Sequence, residues 1–269
     1  MQRITDGRKG ETAPILENKL PDAASVFSPD ALLREARRQK TLAPLDVPSV
    51  CILDADGDIL RHLRKSGRAA RFDAWPCYHT DLHVFQLGGQ TVGILGCVVG
   101  ASFAVLIAEE LFACGCRFLL SLTSAGQINA AGPTPYFVVI DRALRDEGTS
   151  YHYTARAEFA EADAQLVATA ANALKQAGLH ILVGPSWTTD APFRETAEAI
   201  AAARAKGILA VEMEAAALYA FARARSKSVL CLAHVTNTMG QVERDFEKGE
   251  RDGTIDALNV IETIVKAIP

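Results

Sequence analysis

Short, almost continuous apolar segments recur along the chain, and helix-like segments lie between several of them. The strand-like segments are "VFQLGG", "TVGILGCVV", "CRFLLSLTSAG", "YFVVIDRAL", "HILVGPSWT" and "SVLCLAHVTN". The helix-like segments are "SFAVLIAEELFACG", "AEADAQLVATAANALKQAG", "FRETAEAIAAARAKG", "EMEAAALYAFARARS" and "DALNVIETIVKAI". Apolar strands that alternate with helices are typical of a sheet covered on both faces. The pattern therefore predicts a three-layer α/β fold, with a central mixed, mostly parallel, twisted sheet flanked by helices.

The polar start of the chain sets the predicted domain boundary. Residues 1–25 are polar and mixed in charge, so we expect a flexible or oligomer-docked segment there. The segment "SPDALLREARRQK", residues 28–40, starts with a capping Ser followed by Pro and predicts a helix. Because the chain shows no internal repeat and no low-complexity linker, we expect a single domain over 26–269.

Composition and charge narrow the classes of function. The 269 residues are 49% hydrophobic and carry a formal net charge of −4, which gives no reason to expect nucleic acid or an anionic membrane surface as a partner. The six cysteines form no CxxC pair and lie mostly in apolar runs, as is typical of reduced thiols in a cytosolic protein. The first residues contain no apolar signal-peptide region, so we expect a cytoplasmic protein.

Polar or small residues follow five of the apolar runs. They are "DADGDILR", "LTSAGQ", "SWTTDAPFRE", "AVEME" and "VTNTMG". In open α/β sheets, ligands bind beyond the carboxyl ends of the strands. We therefore expect the functional site where these five segments meet.

Two of these segments are candidates for binding an anion. In "DADGDILR", Gly57 allows close approach to the backbone, and Arg61 lies one turn into the following helix. The alternative is a solvent-exposed acidic turn, which its three Asp residues favour. In "SLTSAGQ", the hydroxyl of Ser124 and the amides near it, at Ala125 and Gly126, suit phosphate oxygens. The alternative there is a glycine turn with locally satisfied hydroxyls.

The other candidates are aromatic, basic and acidic side chains. Phe193 and Arg194, in "SWTTDAPFRET", suit a planar heterocycle with carbonyl groups, and the alternative is the capped start of a helix. Glu212 and Glu214 mark a strand end and a helix start, where acidic residues also complement the helix dipole. Two residues apart on a helix, they would point roughly 200° apart, so at most one faces a pocket. The histidines have no metal-ligand spacing, so we expect no metal site.

In this order, the segments resemble the nucleoside phosphorylase superfamily, in its hexameric purine nucleoside and uridine phosphorylase branch. "GILAVEMEAAALYAFA" is similar to the family's signature segment, "GDILR" to its Gly-Asp-Pro-x-Arg loop, and "SLTSAGQI" to its Arg-x-Gly-Ser/Thr-x-Gly stretch. "FVVIDRALRDEGTSYHY" is similar to the strand that follows. Order and spacing agree from about residue 48 to the C-terminus. The resemblance implies a phosphorylase/hydrolase-like fold and cleavage of a nucleoside's N-glycosidic bond, with inorganic phosphate as co-substrate and no other cofactor.

The resemblance also implies roles for single residues. Glu214 would accept the ribose hydroxyls, with Met213 packed on the sugar and Glu212 a secondary contact or a structural residue. Gly57, Arg61 and Ser124 would contact phosphate. Phe193 and Arg194 fall in the segment that contacts the base.

One position distinguishes between branches of the family. Purine-specific members carry an Asp that protonates the base where this chain has Asn237, and an amide cannot supply that proton. Uridine phosphorylases also have Asn there, followed by an Arg, which is Thr238 in this chain. The resemblance therefore implies uridine phosphorylase-like activity on a pyrimidine nucleoside.

The chain departs from the family at its phosphate arginines. Ser121 stands where the family has an Arg, and "WPCYHTDLH", where a neighbouring subunit's Arg is expected, contains none; His79 and His83 are the candidate substitutes. Two alternatives therefore stay open: a nucleoside N-ribohydrolase that uses water, and a catalytically silent member that binds a nucleoside. The resemblance further implies a homo-oligomer, either a dimer or a trimer of dimers.

Overall fold

A computed structural model of the chain describes residues 13–239, 243 and 245–268. Within these residues, the strands are β1 Val50–Asp54, β2 Ala70–Arg71, β3 His83–Leu87, β4 Gln90–Gly96, β5 Phe118–Gln127, β6 Tyr136–Asp146, β7 Phe159–Glu161, β8 Leu182–Thr189, β9 Ala210–Glu212 and β10 Ser228–Asn237. The α-helices in the same part of the chain are α1 Pro29–Lys40, α2 Asp58–Lys65, α3 Ala101–Ala113, α4 Ala164–Gln176, α5 Ala197–Ala205, α6 Ala215–Arg225 and α7 Thr254–Ala267.

Local sequence signals set several helix boundaries. The predicted helix at 28–40 is confirmed, because the Ser28 side chain accepts a hydrogen bond from the Ala31 amide at 3.2 Å and α1 starts at the next residue. The helix predicted from "FRETAEAIAAARAKG" starts later than its sequence pattern indicates. Residues Pro192–Arg194 form a 3-10 turn, and α5 begins only after Thr196, whose side chain caps the helix.

The strands form one sheet, and part of it closes on itself. Along its main path the order is β10-β6-β8-β9-β5-β1-β4-β3-β2, and β10 also pairs with β5. Strands β5, β9, β8, β6 and β10 therefore make a closed ring, and β1 to β4 extend from it. β5 is the common neighbour of β1, β9 and β10, so the ends of these strands meet around it.

The predicted mixed sheet is confirmed, and most of its paired residues belong to parallel pairings, although several strands run antiparallel to a neighbour. β5 runs parallel to β1 and β10, while β9 runs antiparallel to it. β3 and β4 form an antiparallel hairpin, and β10 runs antiparallel to β6. Apolar periodicity cannot distinguish these cases, because a strand buried on both faces shows the same run of apolar residues in either direction.

Helices cover both faces of the sheet, which confirms the three predicted layers. On one face, buried residues of α3 and α6 pack with apolar side chains such as Leu33 of α1. On the other face, residues of α2, α4 and α7 form a second core with the strands. The described part of the segment 1–25 contacts the domain, since the carbonyl of Leu16 accepts a hydrogen bond from Arg156 at 2.9 Å.

Candidate active site

The five predicted segments assemble around the carboxyl end of β5. Register pairs Asp54 of β1 with Leu122, and His234 of β10 with Ser124. The segments "DADGDILR", "SLTSAGQ" and "VTNTMG" are therefore neighbours. β9 pairs with both β5 and β8, and so brings "AVEME" and "SWTTDAPFRE" to the same edge.

Glu212 ends β9 and is committed to internal hydrogen bonds. One carboxylate oxygen accepts from the hydroxyls of Ser186 at 2.9 Å and Thr188 at 2.5 Å. The other accepts from the amides of Glu214 and Ala215, both at 2.7 Å. Burial raises the pKa of Glu212, and these four donated hydrogen bonds act in the opposite direction. Each carboxylate oxygen thus accepts two hydrogen bonds from the protein, and Glu212 stabilises the turn between β9 and α6.

Glu214 lies two residues further on, immediately before α6, and faces a different environment. Its Oε1 accepts a hydrogen bond from the amide of Gly100, the residue that precedes α3, at 2.7 Å. Oε2 has a longer bond from the Met213 amide, at 3.3 Å. Burial, and then the charge of Glu212, raises the pKa of Glu214 to about 8. Glu214 thus has fewer internal donors than Glu212 and retains capacity to accept from a ligand.

The loop after β1 brings the backbone close to its neighbours. Gly57 has φ of +75°, and a Cβ atom there would lie only 2.7 Å from Cys97 Sγ, so a larger residue would not fit. Asp54, at the end of β1, accepts a hydrogen bond from the Leu60 amide at 2.9 Å. Burial raises the pKa of Asp54 to about 7. The loop is tight, and it is acidic.

Each of the two side chains predicted to bind phosphate is paired with a carboxylate instead. The Ser124 hydroxyl donates to Asp56, and the Arg61 guanidinium pairs with Asp58. Lys248 joins both acids, with Nζ 2.9 Å from Asp56 Oδ2 and 2.5 Å from Asp58 Oδ2. The structure therefore brings Arg61 and Ser124 into one cluster, together with three charged residues that were not predicted as ligands.

The sequence gives a signal for some of these additional charged residues and none for others. The three Asp residues of "DADGDILR" are visible in the sequence and favour an acidic turn over an anion site. Lys248 gave no signal, because it lies in the charged run "EKGERD", which is typical of a solvated loop. It reaches the cluster because Asp245 accepts bonds from the Thr238 amide at 2.8 and 2.9 Å and the Glu247 amide donates to Thr236 at 3.1 Å.

The residues predicted to contact the base differ in how exposed they are to solvent. Asn237 is buried, with its side-chain oxygen accepting from the Met239 amide at 3.0 Å and its nitrogen 3.2 Å from Thr236 Oγ1. Met239 has a φ of +71°, and its sulfur packs over Gly126. Phe193, by contrast, is 98% exposed in the 3-10 turn, and Arg194 is exposed beside it.

The structure also locates the residues that stand where the family's phosphate arginines are expected. Ser121 is buried within β5. His83 lies in β3, which pairs with β2 and β4, and so is separated from the β1 loop by a strand. His79 lies in the loop before β3, where its amide donates to Cys77. Within one chain, neither histidine forms part of the cluster around Ser124.

The described residues contain neither a metal-site arrangement nor a helix that could span a membrane. Over 13–239, 243 and 245–268, no group of three or more His, Cys, Asp or Glu side chains has the arrangement of a metal site. The helices in the same part of the chain are each too short or too polar to cross a bilayer.

Most of the chain matches a known protein family. The family model of the phosphorylase superfamily matches residues 49–267. A guanosine phosphorylase of Halorubrum lacusprofundi is 30% identical over 135 residues, which are 50% of this chain and 56% of that protein. The aligned part thus spans about half the length of that relative.

Solved structures share the fold. Uridine phosphorylase from Vibrio fischeri superposes with a TM-score of 0.70 and 21% identity, over 83% of this chain and 94% of that one. A 5'-methylthioadenosine/S-adenosyl homocysteine nucleosidase from Campylobacter jejuni superposes with a TM-score of 0.68 and 15% identity, over 82% of this chain and 100% of the other. At these identities, the likeness shows the fold alone.

Proposed function

Because the chain belongs to the phosphorylase superfamily, we propose that it cleaves the N-glycosidic bond of a nucleoside with phosphate, releasing the free base and ribose 1-phosphate. One observation carries the proposal. Glu214 is buried at the carboxyl edge of the sheet, where the amides of Gly100 and Met213 donate to it. Burial raises the pKa of Glu214, and the hydroxyl of Thr123, the residue before Ser124 in β5, acts in the opposite direction. A sugar-binding carboxylate thus adjoins a cluster that contains the donors expected for an attacking anion.

The proposed chemistry follows from charge. As the base leaves, the sugar becomes oxocarbenium-like and its ring carries positive charge. Glu214, accepting the ribose hydroxyls, stabilises that charge more strongly in the transition state than in the ground state. Met213 forms the apolar wall against the sugar. Gly57, Arg61 and Ser124, with the amides of Ala125 and Gly126, hold the phosphate that attacks the anomeric carbon.

For the base, we propose a pyrimidine. The amide of Asn237 cannot protonate a purine. Its oxygen and nitrogen suit a pyrimidine's imide and carbonyl groups when they exchange their internal bonds to Met239 and Thr236 for bonds to the base. Phe193 and Arg194 would complete the base contacts. A purine is the competing candidate, since the aligned relative from Halorubrum lacusprofundi is a guanosine phosphorylase.

Hydrolysis is the second candidate reaction, and the carboxylate cluster favours it. Asp56 already accepts from the Ser124 hydroxyl and Asp58 pairs with Arg61, so a phosphate dianion would have to compete with two carboxylates for these donors. A water nucleophile does not need these donors. The third candidate, a catalytically silent nucleoside-binding protein, is favoured only by the absence of the family arginine at Ser121.

One assay separates the three candidates. The protein is incubated with uridine, inosine, adenosine and guanosine, each with and without phosphate, and free base is measured by chromatography. Base release that requires phosphate supports phosphorolysis, and the preferred nucleoside identifies the base class. Release without phosphate would replace phosphorolysis by hydrolysis. No release, with thermal stabilisation by a nucleoside, would support the silent binder.

We also propose that the chain works as a homo-oligomer, a dimer or a trimer of dimers. Exposed apolar side chains include Val99 just before α3, Leu106 on α3 and Phe27 just before α1. We propose that these residues contribute to an interface between copies of the chain, since exposed apolar surface marks interaction sites.

A further inference from the structure

Lys248 is held in a fixed position at the phosphate-binding end of the candidate site. Its loop is tied to the end of β10 by the hydrogen bonds that Asp245 accepts from Thr238. The ammonium group lies between Asp56 and Asp58, and the side chain is about three-quarters buried. A long, flexible lysine side chain loses rotamer freedom when it is fixed in this way, so its contacts with the two acids must offset that cost.

The carboxylate of Asp56 takes the position in the cluster where a bound phosphate is expected. Asp56 Oδ2 accepts from both the Ser124 hydroxyl and the Lys248 ammonium group. A phosphate oxygen at the same point would accept from the same two donors. Asp58 does not compete in this way, because it bridges Lys248 and Arg61 and so keeps both cations beside the subsite.

The surroundings of the cluster favour the approach of anions. A cavity of about 540 Å³ opens beside Asp58 and Arg61, and its lining combines three cations, Arg61, Lys65 and Arg251, with two acids, Asp58 and Asp252. A concave surface with an excess of cations concentrates anions. The side chain of Asp56 is one-third exposed, so it has space to swing away when an anion arrives.

We infer that Lys248 is a phosphate-binding residue that supplies the cation missing at Ser121, and that Asp56 is a built-in carboxylate that phosphate must displace. The inference rests on the proposed phosphorolysis. It places the second cation on the loop after β10, not on β5. It also means that phosphate binding is weakened by competition with Asp56 and strengthened when that competition is removed.

The test measures binding of inorganic phosphate by isothermal titration calorimetry, with no nucleoside present. Lys248→Met should weaken phosphate binding at least ~10-fold, the loss expected for one charge-assisted hydrogen bond. Lys248→Arg keeps the charge and should stay within ~3-fold of the wild type. Asp56→Asn, which removes the competing charge, should tighten binding ~3-fold or more. Lys175→Met is the matched control, because it removes an exposed lysine from α4, away from the site.

Each contrary result has a defined meaning. Unchanged phosphate affinity in Lys248→Met would overturn the role of Lys248, and unchanged or weaker affinity in Asp56→Asn would overturn the role of Asp56. Phosphate-dependent base release by the wild type, together with either result, would leave phosphorolysis standing and reject only this inference. Base release without phosphate, with no phosphate binding to the wild type or to Asp56→Asn, would reject both. If Lys248→Met fails to fold, Lys248→Gln takes its place: it removes the charge, keeps a polar group against Asp56 and Asp58, and should also weaken phosphate binding. Unchanged affinity in that variant would overturn the role of Lys248, and Asp56→Asn still decides the role of Asp56.

Discussion

At the residue scale, Glu212 and Glu214 have different roles although only one residue separates them. The expected separation of roughly 200° on a helix does not apply, because Glu212 ends β9 and Glu214 precedes α6. Their hydrogen bonds distinguish them instead: Glu212 accepts four internal bonds, while Glu214 turns toward α3. The pairs made by Asp56 could not be predicted from the sequence either. Ser124 and Lys248 are 68 and 192 residues from it along the chain, so only the assembled sheet brings them together.

Glu214→Gln tests the proposed sugar anchor. A neutral amide cannot stabilise the positive charge that develops on the sugar, so kcat should fall by ~10²-fold or more. The measurement is steady-state release of base from the preferred nucleoside at about pH 8.5, where the wild-type carboxyl is ionised despite its pKa of about 8. Wild-type kinetics in this variant would show that Glu214 is not the anchor. The control is Glu161→Gln, an exposed position on β7 that should leave kcat unchanged.

The same substitution makes a prediction about stability and pH. Because burial, and then the charge of Glu212, raises the pKa of Glu214 from 4.5 to about 8, the folded protein binds this proton more tightly than the unfolded chain. The stabilisation is complete below about pH 4.5 and is lost as pH rises to about 8. Gln does not titrate, so Glu214→Gln should gain stability relative to the wild type over this range, on the order of a few kcal/mol.

Thermal unfolding at intervals between pH 5 and pH 8.5 measures that difference. The Tm of Glu214→Gln minus the Tm of the wild type should increase with pH. A constant difference would mean that Glu214 titrates near its ordinary pKa in the folded protein. Glu161→Gln again serves as the control, since its difference from the wild type should not follow this trend.

At the element scale, the sequence predicts most strands and helices but not how they pair. The long apolar runs and the Ser28 cap identify their elements correctly. The short strands β2 and β7 were missed, because two or three residues carry no periodicity. The antiparallel entry of β9 beside β5 was also not predictable, since strand direction depends on contacts with distant segments.

Glu212 joins three of these elements, and Glu212→Ala tests its structural role. Its carboxylate binds β8 through Ser186 and Thr188 and the start of α6 through two backbone amides. Removing it leaves buried donors without acceptors, so the free energy of unfolding should fall by about 3 kcal/mol or more. Urea denaturation measures this. Glu212→Gln keeps an acceptor and should lose less; equal stability of wild type and Glu212→Ala would contradict the role.

At the scale of the whole molecule, closure of the sheet assembles the site. Because β5 pairs with β1, β9 and β10, loops from both halves of the chain meet at one edge. Helices pack on the two faces of the sheet, and the two helical layers expose different apolar residues to solvent. The α3 side presents Val99 and Leu106, with Phe27 and Val26 in the segment before α1. The side of α2, α4 and α7 has Ile255 as a comparable exposed residue.

This difference predicts which face the proposed oligomer buries. Leu106 on α3 and Ile255 on α7 are both 38% exposed, so replacing either with Glu adds the same charge to a similar surface position. A charge buried in an interface is strongly unfavourable, whereas one facing solvent costs little. Leu106→Glu should therefore dissociate the oligomer, while Ile255→Glu should leave it intact, as measured by size-exclusion chromatography with light scattering. The reverse pattern would place the interface on α7, and a monomeric wild type would reject the oligomer itself.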